Sequence, residues 1–440
     1  MREFAAAASS PRGCPPAVVA GPVSASQIFA GLALIVGLAV ACQVIAARLR
    51  IPAIILLLPT GFAAGALITA VNPDKIFGAA FPPLVSLAVA IILFDGGLDL
   101  TTKGLAGESR RVVNRLRNLG IPMTWAGAGF FGGLLLGLSS KAAIMLGAIL
   151  IVSGPTVVTP ILAAARPGAK LTTILGYEGT TIDPIGAIIA VVVFNELQST
   201  HTHHLLHGLL TFAARIGIGV ACGAAGTLVL WLLLKKLKIT GVLAAQAIIA
   251  TVITTAGLCD ALRDDTGLVA AITMGIILAN LRGIDLPDDR PFLKTIVQLA
   301  IGTLFISISA TVTPASLRGV IWPALGLVAL LVVVVRPAVA AVATVRTTLT
   351  AKERIFVGFM DPRGIVAAST AASFSAPLVA LHIGGAAKLL PATFLVIVGT
   401  VAIYGLAATP LARALGLHEP ESDPGPSQEQ PAPEPEGQPR

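Results

Sequence analysis

Charge is what this sequence has least of. Asp, Glu, Lys and Arg make up 12% of its 440 residues, against 55% hydrophobic residues and a mean hydropathy of +0.89. A soluble domain carries about 25% charged residues, so a water-soluble globule is excluded. The marks of a nucleotide or metal enzyme are missing too. No Walker motif, dinucleotide fingerprint or zinc signature is present. Nor does any apolar stretch pair a nucleophile with a base. The four cysteines, Cys14, Cys42, Cys222 and Cys259, lack metal-ligand spacing. Three of them lie in apolar stretches, where cysteine serves as a small buried hydrophobe. The chain therefore reads as a non-enzyme with no cofactor and no resident metal. Without a nucleotide site, any transport has to draw on an ion gradient. The net charge of +8 does not point to nucleic acid, because the basic residues sit between apolar runs. That is the placement of a multi-spanning protein facing anionic lipid.

What the sequence has is long apolar runs, with 45 Gly and 30 Pro distributed through the chain. A transmembrane helix needs about 20 such residues. The runs predict an all-α polytopic membrane protein with about thirteen spans, at roughly 26–47, 51–70, 82–99, 119–138, 141–165, 171–197, 206–234, 240–258, 266–281, 293–312, 320–344, 353–373 and 390–414. The weaker runs, 266–281 and 353–373, also fit re-entrant or interrupted helices. Residues 1–25 read as a disordered tail, 26–414 as the membrane domain, and 415–440, rich in Pro, Glu and Gln, as a second disordered tail.

Lys and Arg alternate sharply between the loops. One set holds Arg48, Arg110, Arg111, Arg115, Arg117, Arg166, Lys235, Arg346 and Lys352 among roughly eighteen, and the other holds about five, such as Lys75 and Arg318. The positive-inside rule places the N-terminus outside and the C-terminus in the cytoplasm, in what reads as a bacterial inner membrane. Glu108 to Arg117 reads as a basic interfacial segment.

Within the sixth span, Gly176 to Val193 reads GYEGTTIDPIGAIIAVVV and carries Glu178 and Asp183. An acid inside the bilayer is costly and marks an ion or proton pathway by default. The two acids lie about 140° apart around a helix, so they perform different tasks. Before them, VSGPTVVTP places Gly154 and Pro155 mid-span, with Ser153 and Thr156 beside the break. Later, FMDPRGIVAAST interrupts another span at Asp361, Pro362, Arg363 and Gly364. Broken helices leave backbone groups that bind ions where they line a cavity, and a pair of them suggests inverted repeats crossing at the site. Arg363, in mid-span, needs a carboxylate partner, for which Glu178 and Asp361 are candidates.

FDGGLDL (Phe94 to Leu100), VSGPTVV, EGTTIDP and DPRGIVA together resemble the monovalent cation:proton antiporters of the NhaP and sodium/proton-exchanger type, over roughly residues 26–414. The resemblance implies a homodimeric fold of thirteen or so helices with a mobile core and a dimerisation domain. It implies that Asp183 alternates between H⁺ and a cation, and that Glu178 forms a buried pair with Arg363. Departures are present. Ile182 stands where the family has Asn, Gly154-Pro155-Thr156 replaces Thr-Asp-Pro, and Asp95 replaces the familiar Glu. The ion is therefore Na⁺ or K⁺.

The expected mechanism is electroneutral exchange by alternating access, with Thr156, Ser153 and free carbonyls assisting Asp183, and with Asp361 and Asp95 as secondary candidates. With one acid serving both ligands, a tenfold proton gradient, about 1.4 kcal/mol, sustains at most a tenfold cation gradient. The rival reading is a carrier of a small organic anion with Arg363 as the clamp. His201, His203, His204 and His207 read as a solvated loop, and Asp260, Asp264 and Asp265 as a surface turn. Arg336, just before Pro337, reads as snorkelling or paired, with no assigned partner.

Overall fold

In a bilayer, backbone amides find no water, so a spanning chain satisfies them internally as helices or as a closed barrel. The computed structural model takes the first course. It describes residues 25–49, 51–68, 71–100, 107–198, 205–263, 266–281 and 290–419, and among these every regular element is helical. Most of both expected tails, His201 to His204, Asp264 and Asp265 lie outside the described residues.

The first group of helices is α1 (Ala25–Leu49), α2 (Ile54–Leu67), the short α3 (Pro73–Phe77) and α4 (Phe81–Leu98). They pack with α9 (Leu205–Lys236), α10 (Val242–Leu262), α11 (Gly267–Asn280) and α12 (Arg290–Thr311). Here backbones touch. A Cβ on Gly97 of α4 would lie 2.7 Å from the Ile272 carbonyl of α11, so only glycine permits this crossing.

The second group is α5 (Gly107–Leu136), α6 (Ser140–Leu150), α7 (Pro155–Ala165) and α8 (Ala169–Gln198). After the single turn α13 (Pro314–Leu317) come α14 (Ile321–Leu330), α15 (Arg336–Ala343), α16 (Ala351–Phe359), α17 (Ile365–Ala380) and α18 (Leu389–Ala414), most of which pack against the second group. A π-helical turn, Leu331–Val335, joins α14 to α15. Its cause is Pro337, which has no N–H to return to the carbonyl four residues back.

Among the described residues nine helices are long and apolar enough to cross a membrane, or ten if α6 and α7, bent by 48°, count as one span. Ile54–Leu67, Gly267–Asn280 and Ile365–Ala380 are apolar but shorter. Fourteen residues in α2 reach about 21 Å, less than the roughly 30 Å hydrocarbon core. The expected run 51–70 therefore holds a shorter helix than its hydropathy suggests. The run 353–373 is divided where Met360–Gly364 leaves the helix. Large apolar side chains such as Phe130 and Trp322 are exposed on the outer surface, as a chain solvated by lipid permits.

Candidate ion-binding site

Two interruptions place unwound backbone in the core. α6 stops at Leu150, the chain through Gly154 is not helical, and Pro155 starts α7. Gly154 is extended and Pro155 takes the first position of α7, where a missing N–H costs nothing. Between α16 and α17, Met360–Gly364 is extended and buried. The two segments meet. A Cβ on Gly364 would lie 3.0 Å from Gly154 N and 3.7 Å from Thr156 Oγ1. Arg363 Nη1 donates to the Ile151 carbonyl at 3.2 Å, which satisfies a carbonyl left free at the end of α6.

α8 runs past this crossing and brings Asp183 to it. The carboxylate is 1% exposed. Its Oδ2 would lie 3.0 Å from a Cβ on Gly154, with Cγ and Oδ1 at 3.4 Å, so glycine makes room for it. Among the described residues, neither carboxylate oxygen of Asp183 has a hydrogen-bond partner, and the Thr156 hydroxyl has none. Buried polar atoms are nearly always paired, so these orphans mark a place for a ligand. Ser153 is buried beside them, and its carbonyl faces Gly179 of α8.

The other acids are engaged. Glu178 receives Arg336 in a two-pronged pair, Nη1 to Oε1 at 2.6 Å and Nη2 to Oε2 at 2.8 Å. Arg336 Nε donates to the Val357 carbonyl at 3.0 Å. Asp361 receives Arg363 through Nη2 at 2.8 Å and Nη1 at 3.3 Å. The expected Glu178–Arg363 pair is therefore corrected: Glu178 goes to Arg336 and Arg363 to Asp361. Arg363 and Asp361, two residues apart in the unwound segment, lie side by side, while Arg336, directly after a π-helical turn, reaches Glu178 of α8. Arg336 is the site residue that sequence reasoning left without a partner. Its signal was an arginine within an apolar run, which is a functional pointer by default.

A cavity of about 1060 Å³ leads toward the crossing. It is lined by Arg166, Lys294, Arg413 and His418, by Asp95 and Asp99, and by Pro155 and Thr156 at the crossing. Asp183 lies immediately behind Gly154 and Thr156. The structure thus brings Asp183, Ser153 and Thr156 together, sets Asp95 on the approach, and holds Asp361 in the crossing with Arg363. No group of three or more His, Cys, Asp or Glu able to hold a metal occurs among the described residues. Asp260 Oδ1 accepts from Gly267 N at 2.6 Å, capping α11. His207's side chain is outside the described set.

Comparison with known proteins agrees with this geometry. The family model described as "Sodium/hydrogen exchanger, transmembrane" matches residues 31–414. The chain is 24% identical over 404 residues to the K⁺/H⁺ antiporter NhaP of Alkalimonas amylolytica, covering 90% of this chain and 67% of that one. It is 25% identical over 366 residues to the Na⁺/H⁺ antiporter 1 of Methanocaldococcus jannaschii, covering 78% and 82%. The fold matches the solved sodium proton antiporter MjNhaP1 from the same archaeon with a TM-score of 0.78 at 20% identity, covering 90% of this chain and 99% of that one. With the family model matched across nearly the whole membrane part, the chain belongs to the sodium/hydrogen exchanger family and is a secondary active monovalent cation/proton antiporter, not an enzyme.

Proposed function

We propose that the protein exchanges one Na⁺ or K⁺ for one H⁺ at Asp183, with no net charge moved. The observation that carries this reading is a fully buried carboxylate whose two oxygens are unpartnered among the described residues, packed against Gly154, next to the Pro155 and Thr156 that line the cavity. An isolated ionised carboxylate is too costly in low dielectric to stand alone. Asp183 is therefore held either protonated or with a cation, and these two states are the two halves of the exchange. Glu178 and Asp361 each carry an arginine, so one acid remains to serve both ligands. Thr156 Oγ1, Ser153 and the unwound carbonyls complete the cation's shell.

The same reading assigns thirteen spans in inverted repeats, with the α6–α7 and α16–α17 breaks crossing at the site. The grouping of the helices supports a static part built from α1–α4 and α9–α12 and a moving part built around α5–α8 and α14–α18. The static part is the proposed homodimer contact. The Lys/Arg asymmetry supports an N-out, C-in arrangement in a bacterial inner membrane, with the cavity open to the cytoplasm.

Both ions enter the assay, since the curated relatives include a K⁺/H⁺ and a Na⁺/H⁺ antiporter by name. The organic-anion reading loses its clamp, because both Nη atoms of Arg363 are engaged by Asp361 and Ile151. The test is proton flux in proteoliposomes of purified protein, driven by Na⁺ or K⁺ at a series of clamped membrane potentials. The expected initial rate depends on the cation and changes little with potential. A rate that climbs steeply with potential means more than one proton per cation and brings Glu178, Asp361 or Asp95 back as a second carrier. Flux driven by an organic anion and indifferent to cations restores the rival.

A further inference from the structure

The start of α5 carries a basic groove that antiport does not use. Arg110, Arg111, Asn114, Arg115, Asn118 and Leu119 line a surface cavity of about 500 Å³. Val112, Val113 and Leu116 on the opposite face are buried at 1% or less, so this stretch is held to the protein by its apolar side. Arg115 is fixed in place by donating from Nη1 to the Val345 carbonyl at 2.6 Å. Glu108, the acid of the segment, is occupied by the Thr348 backbone and hydroxyl. Neither Arg110 nor Arg111, both exposed, makes a salt bridge among the described residues.

The groove continues into a lipid-facing stripe. Arg111, Arg115, Leu119, Pro122, Ala126, Phe130 and Leu134 recur at spacings of three and four and fall within an arc of about 140°. The last five are exposed, Phe130 at 69% and Leu134 at 72%. One side of a single 30-residue helix thus presents arginines at its end and apolar side chains along its length. A phospholipid has the complementary layout, an anionic phosphate above acyl chains. Arginine's planar fork suits phosphate, and a basic recess at the water end of a membrane helix suits an anionic headgroup.

We propose that this groove is a binding site for an anionic phospholipid, with the phosphate held by Arg110, Arg111 and Arg115 and an acyl chain lying along Leu119 to Leu134. The bound lipid braces the start of α5 against the Thr344–Thr350 loop, which leads from the helix bearing Arg336 to the helix preceding Asp361.

The experiment uses purified full-length protein, delipidated in neutral detergent. Native mass spectrometry counts bound lipid and thermal unfolding reads its effect, with phosphatidylglycerol, phosphatidylcholine, glycerol phosphate and inorganic phosphate as separate additions. The expected result is stabilisation by phosphatidylglycerol alone. Its affinity should fall roughly tenfold or more in R110Q/R111Q, a loss consistent with two surface arginines, fall less in R110K/R111K, which keeps the charge and loses the planar fork, and persist in K235Q/K236Q at the end of α9. Undiminished phosphatidylglycerol binding by R110Q/R111Q overturns the proposal. So does equal loss in K235Q/K236Q, which would reveal a diffuse charge effect. Saturation by glycerol phosphate or inorganic phosphate at the same concentration would identify a free-phosphate site instead of a lipid site. If R110Q/R111Q does not fold, the single variants R110Q and R111Q carry the test: a fall in phosphatidylglycerol affinity in either supports the proposal, and undiminished binding in both overturns it.

Discussion

Separating Glu178 from Arg336 is the sharpest perturbation the structure offers. Both side chains are 4% exposed, and two parallel hydrogen bonds of 2.6 and 2.8 Å join them. Glu178→Gln leaves the guanidinium buried without its counter-charge, and Arg336→Gln leaves the carboxylate so. Each single change is expected to cost about 3–5 kcal/mol of stability, the usual penalty for stranding one member of a buried pair. The double variant removes both charges, so its loss should fall below the sum of the singles by about 2 kcal/mol or more. Arg336 also donates to Val357, and that loss is common to the single and double variants and cancels in the cycle. Thermal and denaturant unfolding in detergent, followed by tryptophan emission from the three Trp residues, supplies the numbers. The same cycle run on Glu178 and Arg363 should be close to additive. Additivity at Glu178–Arg336, or equal coupling of Glu178 to both arginines, would refute the pairing.

Two further perturbations probe the crossing. Gly154→Ala places a methyl 3.0 Å from Asp183 Oδ2, in the space a bound cation needs. Exchange should fall by about tenfold or more while the purified protein keeps its helical circular dichroism, and wild-type flux in that variant would remove the cation from this position. Asp361→Asn strands Arg363, 2% exposed, and should destabilise by about 3–5 kcal/mol. Adding Arg363→Gln should recover part of that, whereas no recovery would show that Arg363 serves mainly to hold the Ile151 carbonyl.

Much of the architecture was legible in the sequence. Hydrophobic runs locate the helices because lipid requires apolar side chains over a fixed length. Gly154-Pro155 and Asp361-Pro362-Arg363-Gly364 locate the interruptions because glycine and proline together weaken a helix interior. Asp183 stood out because an intramembrane acid is rarely incidental. Run length misled at 51–70, where the helix covers only Ile54–Leu67. The ion pairs were not legible. Two acids and two mid-span arginines allow more than one pairing, and sequence distance is a poor guide: Arg363 takes its neighbour Asp361, while Glu178 takes Arg336, 158 residues away. A π-helical turn, Leu331–Val335, lies immediately before Arg336. Hydropathy carries no trace of that turn. Pro337 was its only sequence sign.

The account rests on Asp183 being the one group that cycles between H⁺ and cation. The direct measurement is cation-dependent proton flux in proteoliposomes containing Asp183→Asn, reconstituted at the same density as wild type and checked for folding by its unfolding midpoint. An amide of the same shape cannot bind a proton and release it in exchange for a cation. The expected result is no Na⁺- or K⁺-dependent flux from a folded protein. Flux at a substantial fraction of the wild-type rate would contradict the assignment and move the carrier elsewhere.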